Sequence, residues 1–492
     1  MACGLPGESG VSIALLSVRI GRLLNLDEAR LADLYYAALT RFLGSTAMSS
    51  EFAALAIGED QAMCRTLTMA DCLDAESVAR TADPIIAPDA LPERRKAMFK
   101  SLRGAHASLP TFDSFRRRQA IALASRLPVP PQVPGILAHM HDRWDGQVAG
   151  ASGDAIPIAA RIMAVAVVAE AFRRTGGIAA VSEVLAARAA GQLDPDLCAL
   201  VRKEAKQLFL SFRLPGQLDR FLDAEPGEPL TVREAELDDI ARVFGDFADQ
   251  KSPFHIGHSR HVSMLATRAA EASGLDAEQC AALRRAALLH DIGRLAIRNG
   301  IWEKPGTLNV MERLAVQSHT YNTEVIVALS GAFTGVAELS SMAHERADGS
   351  GYHRRVRMTE VTATLLEAAD VYDALIHDRP WRLAHGPRAA SHLLLGEAAA
   401  GRLSQSAAHA VLEAAGRPKD VARRANAAGL TPREVEVARL LARGTPPKRL
   451  VTLLGISLKT ADHHVEHVYG KTSVRGRAAV ALFALENDLL SD

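Results

Sequence analysis

Several features that often settle a protein's class are scarce in this chain. Its five cysteines, Cys3, Cys64, Cys72, Cys198 and Cys280, are scattered, odd in number and nowhere spaced CxxC, which excludes a disulfide scaffold and a zinc knuckle. Net charge is absent too: 57 basic residues meet 57 acidic ones, so any contact with nucleic acid has to come from a local patch. The most apolar long stretch, Ile156 to Phe172, carries Arg161 and Glu170 and is too short and too charged to span a bilayer. No basic flank leads into an apolar core near the start, so no signal peptide is read. A reducing cytoplasm and no membrane contact are the expectation. Aromatics make up only 5% of the 492 residues and alanine is abundant, which favours helices over sheets. At 48% hydrophobic and 23% charged the chain is globular, with length for two to four domains.

What is present is a repeat. The segment from Gly274, GLDAEQCAALRRAALLHDIGRLA, aligns with NLDEARLADLYYAALTRFLGSTA from Asn25 at an offset of 249. HERADGSGYH from His344 aligns with HDRWDGQVAG from His141 at an offset of 203, and the segment from Ala398 aligns with that from Arg188 at 210. The falling offset places an insertion of about 46 residues in the first repeat, mostly between Ala56 and Pro110. Both repeats show apolar residues at three- and four-residue spacing, as at Leu275, Ala282, Leu283, Ala286 and Leu289, so an all-α fold is expected. Gly and Pro at 222–230 and a polar stretch from Gly416 to Gly429 read as linkers. The expected domains are 1–205, a linker at 206–235, 236–415, a linker at 416–428, and 429–492.

The second repeat carries chemistry. His290–Asp291 ends an apolar helix, and His258, His319, His344 and Asp370 flank it in sequence. Imidazoles with carboxylates suit a first-row divalent metal such as iron, manganese or zinc. A shared Asp carboxylate can bridge two ions in the geometry used on phosphate esters. HSRHV, LLHDIGR, HERADGSGYH and AADVYDALIHDRPWR resemble an HD-GYP domain, a branch of the HD phosphohydrolase superfamily, over roughly 236–412. The resemblance implies an all-helical domain that hydrolyses cyclic di-GMP at a two- or three-metal centre. It also implies His258, His290, Asp291, His319, His344 and Asp370 as ligands, with Asp291 and Arg294 as the catalytic pair. Arg294, Lys304, Tyr352, Arg379 and Arg382 fall where the family contacts its dianionic substrate.

The sequence departs from the family at Ala343 and Phe254, where relatives carry further ligands, and at His353 and Arg294. Six ligands remain, the complement of two ions, with iron or manganese expected. In the first repeat His258 becomes Ser9, His290–Asp291 become Arg41–Phe42, Asp370 becomes Val167, and only His141 persists, with no partner. The counterpart of His319 falls near the insertion and has no assigned position. The first repeat is therefore read as a degenerate copy without metal, with Trp144 in its core and Asp145–Gly146 in a turn or cap.

From Gly429 the sequence changes character. Thr431, Pro432 and Glu434 form a helix start in capping-box style, and Val435, Ala438, Leu440 and Leu441 give its buried face. Gly444 ends that helix, a second runs from about Lys448 to Leu454, Gly455 turns, and Ser457 caps a third reaching about Tyr469. A last helix is expected from Arg477 to Asn487. LTPREVEV, LGIS and KT resemble the LuxR-type helix-turn-helix, which implies a recognition helix from Ser457 on double-stranded DNA and a homodimer through the last helix. Lys459, Thr460, His464 and Lys471 are expected near phosphates, Asp462, His463 and Glu466 at base edges, and Lys448 is a further DNA-binding candidate. From Arg433 onward nine basic residues stand against seven acidic ones, so modest, salt-dependent affinity is expected. Three readings follow: a regulator whose HD region senses a cyclic dinucleotide or other nucleotide or a metal, a metal phosphodiesterase with an accessory DNA-binding tail, and a non-catalytic scaffold that dimerises the tail.

Overall fold

The structure, a computed structural model, describes residues 4–5, 8–86, 92–105, 109–213, 216–417, 430–442, 445, 447–472, 480 and 484. Those residues form α-helices and short 3-10 helices, with no strand among them, as the alanine-rich periodicity predicts. The chain divides into two units. The first comprises Met1–Arg260 and Arg285–Ser341, the second His261–Arg284 and Met342–Asp492.

In the first unit the core gathers on the helices Ser9–Leu23, Glu28–Thr40, Ile158–Arg188 and Pro195–Leu208. Ile13, Leu16, Leu34, Ile162, Met163 and Val201 are buried there. The apolar stretch from Ile156 is the start of the central helix, buried on nearly every side, which explains its near-continuous hydrophobicity. The insertion folds as the helices Ser49–Leu55, Asp60–Met69, Ala75–Ile86 and Pro92–Ala105 around a small core of its own containing Phe52, Met63 and Cys64.

The hydrogen bonds at the two repeats' landmarks match position by position. Leu26 N–H donates to Gly21 O and Leu275 N–H to Ala270 O, each closing a helix at a left-handed residue, Asn25 or Gly274. Asp27 then caps Arg30 N–H as Asp276 caps Gln279 N–H. Trp144 N–H donates to Gln192 O, and its counterpart Ala347 N–H to Arg402 O. Asp145 accepts from Gln147 N–H, and Asp348 accepts from Ser350 N–H. The expected turn at Asp145–Gly146 is present, with Gly146 at φ +68°. Trp144 is only half buried and lies under Arg161, 5.6 Å from guanidinium to ring, rather than inside the core.

One glycine pair places the missing counterpart. A Cβ on Gly293 would lie 1.9 Å from His319 O, so only glycine lets the turn after His290–Asp291 sit on the Val310–Ala328 helix. A Cβ on Gly44 would lie 1.8 Å from Arg116 O. Arg116 therefore stands where His319 stands, at the same offset of 203 that relates His141 to His344.

The segment 206–235, expected as a linker, belongs in part to the first unit's core. Phe209, Phe212 and Phe221 are buried, and Phe221 stacks on Tyr35 with ring centroids 4.6 Å apart. Three phenylalanines spaced along a helical segment outweigh the turn signals that follow them. Within the same unit, the insertion braces the turn beyond Asp291. Gly300 N–H donates to Gly58 O, Gln61 donates to Leu295 O at 2.7 Å, and Asn299 N–H donates to Asp60 Oδ1 at 2.7 Å. Asp60 also pairs with Lys251 at 2.5 Å, both side chains at most 3% exposed.

In the second unit the helices Val361–Ile376, Pro387–Ala399 and Gln405–Ala414 pack together through buried Leu366, Ala369, Leu394 and Val411. Beyond Arg417 the expected linker lies outside the described residues. The tail folds as Pro432–Ala442, Pro447–Leu454 and Leu458–Thr472 around Val437, Ala438, Leu441, Leu450, Ala461 and Val468. Val437 takes the fully buried place expected for Val435, which is partly buried. Of the expected last helix only Val480 and Ala484 are described; both are buried.

Removing one member of a buried ion pair leaves an uncompensated charge, so Asp60→Ala should cost about 3–5 kcal/mol of unfolding free energy. Denaturant unfolding of the full chain measures it, and a loss under about 1 kcal/mol would mean that the brace carries little.

Candidate metal centre and nucleic-acid interface

Four of the six expected ligands meet in the first unit. Asp291 Oδ2 lies 3.2 Å from His258 Nε2 and 3.2 Å from His290 Nε2, and Asp291 Oδ1 lies 3.5 Å from His319 Nε2. None of these side chains is more than 2% exposed. The ligand atoms of His258, His290 and Asp291 fall within 4.8 Å of one another. Backbone carbonyls orient the rings: His290 Nδ1 sits 2.7 Å from Ala287 O and His319 Nδ1 2.5 Å from Val316 O. An Nδ1–H committed to a carbonyl leaves Nε2 as the lone pair facing inward, the state a metal requires. The donor set of three imidazoles and a carboxylate thus fits a divalent first-row ion. Burial works to raise the Asp291 carboxyl, but Arg294 at 2.6 Å and the neighbouring His290 hold it well below the ordinary value. It is therefore ionised, as a ligand must be.

Supporting groups surround this set. Thr323 Oγ1 donates to His290 O at 2.8 Å and accepts from Gly293 N–H at 3.0 Å. Arg294 lies over the Trp302 ring, 4.9 Å from its centroid, and Trp302 stands edge-on to His319. Lys304 pairs with Glu312 at 2.6 Å. Sequence reasoning missed two neighbours. His255, three residues before His258, is buried with its ring edge-on to His258. Asp249 accepts from both the N–H and the hydroxyl of Ser259, and burial pushes its carboxyl up to about 6.

The remaining two ligands meet in the second unit. His344 Nδ1 lies 3.5 Å from Asp370 Oδ2, and the Tyr352 ring stacks on His344 with centroids 5.1 Å apart. Glu345, fully buried, accepts from the N–H groups of Arg354, Arg355 and Val356, which fixes the loop after His344. Ala343 is buried beside it. Glu367, one turn before Asp370, was not foreseen; burial pushes its carboxyl up to about 8 against the pull of Arg346 at 3.4 Å. A further cluster was missed as well. Buried Asp373 accepts from His261 at 2.8 Å and lies 3.2 Å from His377 Nδ1, and its hydrogen bond raises the His377 pKa. Arg379 is buried and exchanges backbone hydrogen bonds with Arg382. The Arg382 guanidinium donates to carbonyls at the end of the Val361–Ile376 helix, including Leu375 O and His377 O at 3.3 Å, so it closes that helix.

In the tail the expected capping box is present: Thr431 N–H donates to Glu434 Oε2 at 2.7 Å and Glu434 N–H to Thr431 Oγ1 at 3.3 Å. Ser457 Oγ caps Thr460 N–H at 3.1 Å. Lys459, Thr460, Asp462, His463 and Glu466 are exposed, and His464 is half buried. The side chain of Lys448 lies outside the described residues. Lys471, expected at phosphate, pairs with Glu434 at 2.7 Å, and His467 joins them at 3.1 Å. The long helix is thereby tied to the first helix of the tail.

Two regions of the chain match known families. The family described as "HD domain" matches residues 115–194 and 242–404, and "Bacterial regulatory proteins, luxR family" matches 428–484. The chain is 27% identical over 391 residues to the 3'3'-cGAMP-specific phosphodiesterase 3 of Vibrio cholerae, covering 78% of this chain and 85% of the relative. It is 30% identical over 151 residues to a cyclic di-GMP phosphodiesterase of Thermotoga maritima, covering 30% of this chain and 40% of that one. A crystal structure of a cyclic GMP-AMP specific phosphodiesterase of V. cholerae shares the fold at a TM-score of 0.56 and 24% identity, covering 84% of this chain and 94% of that chain. The chain thus carries an HD domain and, C-terminal to it, a LuxR-family helix-turn-helix domain. Among the described residues no helix is long and apolar enough to cross a membrane.

Burial works to raise the Glu434 carboxyl, but Lys471, Thr431 and His467 bring it down to about 2, against an ordinary 4.5. A depressed carboxyl stabilises the fold above its unfolded pKa and loses that contribution as pH falls through the folded one. Glu434→Gln should therefore weaken the tail by about 1–2 kcal/mol at pH 7. The gap should close as pH falls from 4.5 towards 2. Hydrogen exchange across 430–472 in the full chain reads both, and an equal gap at both pH values would refute the charge assignment.

Proposed function

We propose that this protein is a DNA-binding regulator whose HD domain holds two divalent ions, iron or manganese, and takes a cyclic dinucleotide as ligand and substrate. One observation carries the reading. Three inward-facing imidazole nitrogens gather on an ionised, buried Asp291, two of them oriented by carbonyls, in a chain that ends in a helix-turn-helix. His258, His290, Asp291 and His319 form one donor set, and His344 with Asp370 form the other. A divalent ion there supplies Lewis acidity toward a phosphodiester and lowers the pKa of water. Arg294 keeps Asp291 ionised and adds a fixed positive charge that lysine, with its more labile proton, would hold less firmly. Lys304, Tyr352 and Arg379 are assigned to the substrate's phosphates and bases. Arg382 acts by holding the end of the Val361–Ile376 helix that carries Asp370 and Asp373.

In the reaction water adds across one P–O ester bond. The ring opens to a linear dinucleotide with one phosphomonoester and one free hydroxyl. The tail reads double-stranded DNA as a homodimer, with Lys459, Thr460 and His464 at phosphates and Asp462, His463 and Glu466 at base edges. Lys471 sets the pitch of the recognition helix through Glu434. A second reading, a sensor that binds without turnover, is favoured by one observation: Ala343 stands buried where relatives carry a histidine.

The test is turnover. Metal-loaded protein incubated with 3'3'-cGAMP or cyclic di-GMP should yield the linear dinucleotide, and the His290→Ala/Asp291→Ala variant should yield none. Binding of either compound without product supports the sensor reading. Neither binding nor product would contradict both.

A further inference from the structure

The first repeat keeps the shape of the HD site and changes its chemistry. A cavity of about 440 Å³ opens in it, within the range of small-molecule sites. Its lining includes Arg41, Phe42, Arg116, His141 and Val167. These are the counterparts of His290, Asp291, His319, His344 and Asp370, as the matched hydrogen bonds and the Gly44–Arg116 contact establish. Five of the six ligand positions thus face one cavity. Two imidazoles have become guanidiniums, and both carboxylates have become apolar groups.

The charge consequence is direct. A site built from carboxylates and imidazoles needs bound cations before it attracts phosphate. A site with arginine at two of those positions and no carboxylate at the other two carries its own positive charge. Arg117 and Arg143 also line the cavity, so four arginines face two aspartates, Asp113 and Asp142. Arg116 pairs with Asp113 at 3.1 Å, Arg117 with Asp142 at 3.3 Å, and Arg143 with Asp71 and Asp145 at 2.7 Å. These pairs hold the guanidiniums in place. His141, expected to stand alone, lies against Asp113 O at 3.2 Å, and burial lowers its pKa to about 4, so at neutral pH it is an uncharged imidazole. Phe42, Leu67, Met140, Val167 and Val168 supply an apolar wall that a free phosphate ion has no use for and a nucleobase does.

We infer that this cavity is a binding site for a nucleotide phosphate, one that holds the ligand without metal and without cleaving it. The cavity also touches the insertion: Leu67 and Thr68 line it from one end of the Asp60–Met69 helix, and Asp60 at the other end braces Asn299.

The test uses the full chain with His290→Ala/Asp291→Ala and measures binding of 3'3'-cGAMP and of GMP by titration calorimetry. At least one probe should saturate at one site per chain. Arg41→Gln/Arg117→Gln should weaken it about tenfold or more, as loss of charge-assisted hydrogen bonds requires. Ala149→Trp, at an exposed residue of the cavity lining, should block it without lowering the unfolding temperature. Binding of 3'3'-cGAMP alone assigns the cavity to cyclic dinucleotides, and binding of GMP assigns it to mononucleotides. No binding of either probe would overturn the inference, as would binding that both sets of substitutions leave unchanged.

Discussion

The seating of Gly293 on the carbonyl of His319 is the contact on which the HD site depends. It brings the turn after His290–Asp291 against the Val310–Ala328 helix closely enough for three imidazole nitrogens to reach one carboxylate. The same seating recurs at Gly44 and Arg116 with nearly the same clearance. A backbone contact is indifferent to the side chains beside it. Both repeats therefore keep the frame while the residues at its rim differ, histidine and aspartate in one and arginine with apolar residues in the other.

A second constraint ties the repeats together inside the first unit. The turn beyond Asp291 is held from two sides: Thr323 of its own repeat accepts from Gly293 N–H, and Asp60, Gly58 and Gln61 of the insertion pair with the backbone of Asn299, Gly300 and Leu295. Buried polar backbone demands such partners. The Asp60–Lys251 pair is costly to bury, and its worth lies in fixing where the insertion docks. The insertion, which looks like an interruption of the first repeat, is the element that completes the surroundings of the second.

Much of this was legible in the residues. The offsets of 249 and 203 recover the duplication because caps and helix ends are local devices, written in a few adjacent residues such as Asp27 and Asp276. The tail was legible for the same reason, through Thr431, Glu434 and Ser457. What escaped depends on contacts far apart in sequence. Arg116 could not be matched to His319 because the insertion hides the register until Gly44 reveals it. The aromatic residues of 206–221 read as linker because their partner, Tyr35, lies far upstream. Asp249 ends the Leu237–Asp249 helix and His255 lies in the short 3-10 turn that follows, and neither belongs to a sequence motif that marks it. Lys471 looked like a phosphate contact because nothing in the sequence shows that Glu434 faces it.

On the proposed function, metal chemistry belongs to the second repeat and has been lost from the first. Its most direct test is the metal content, by elemental mass spectrometry, of full-length protein purified without added metal or chelator. Two ions per chain are expected, absent from His290→Ala/Asp291→Ala and undiminished in His141→Ala. A metal-free wild-type protein would contradict it, as would ions that survive the first substitution and leave with the second.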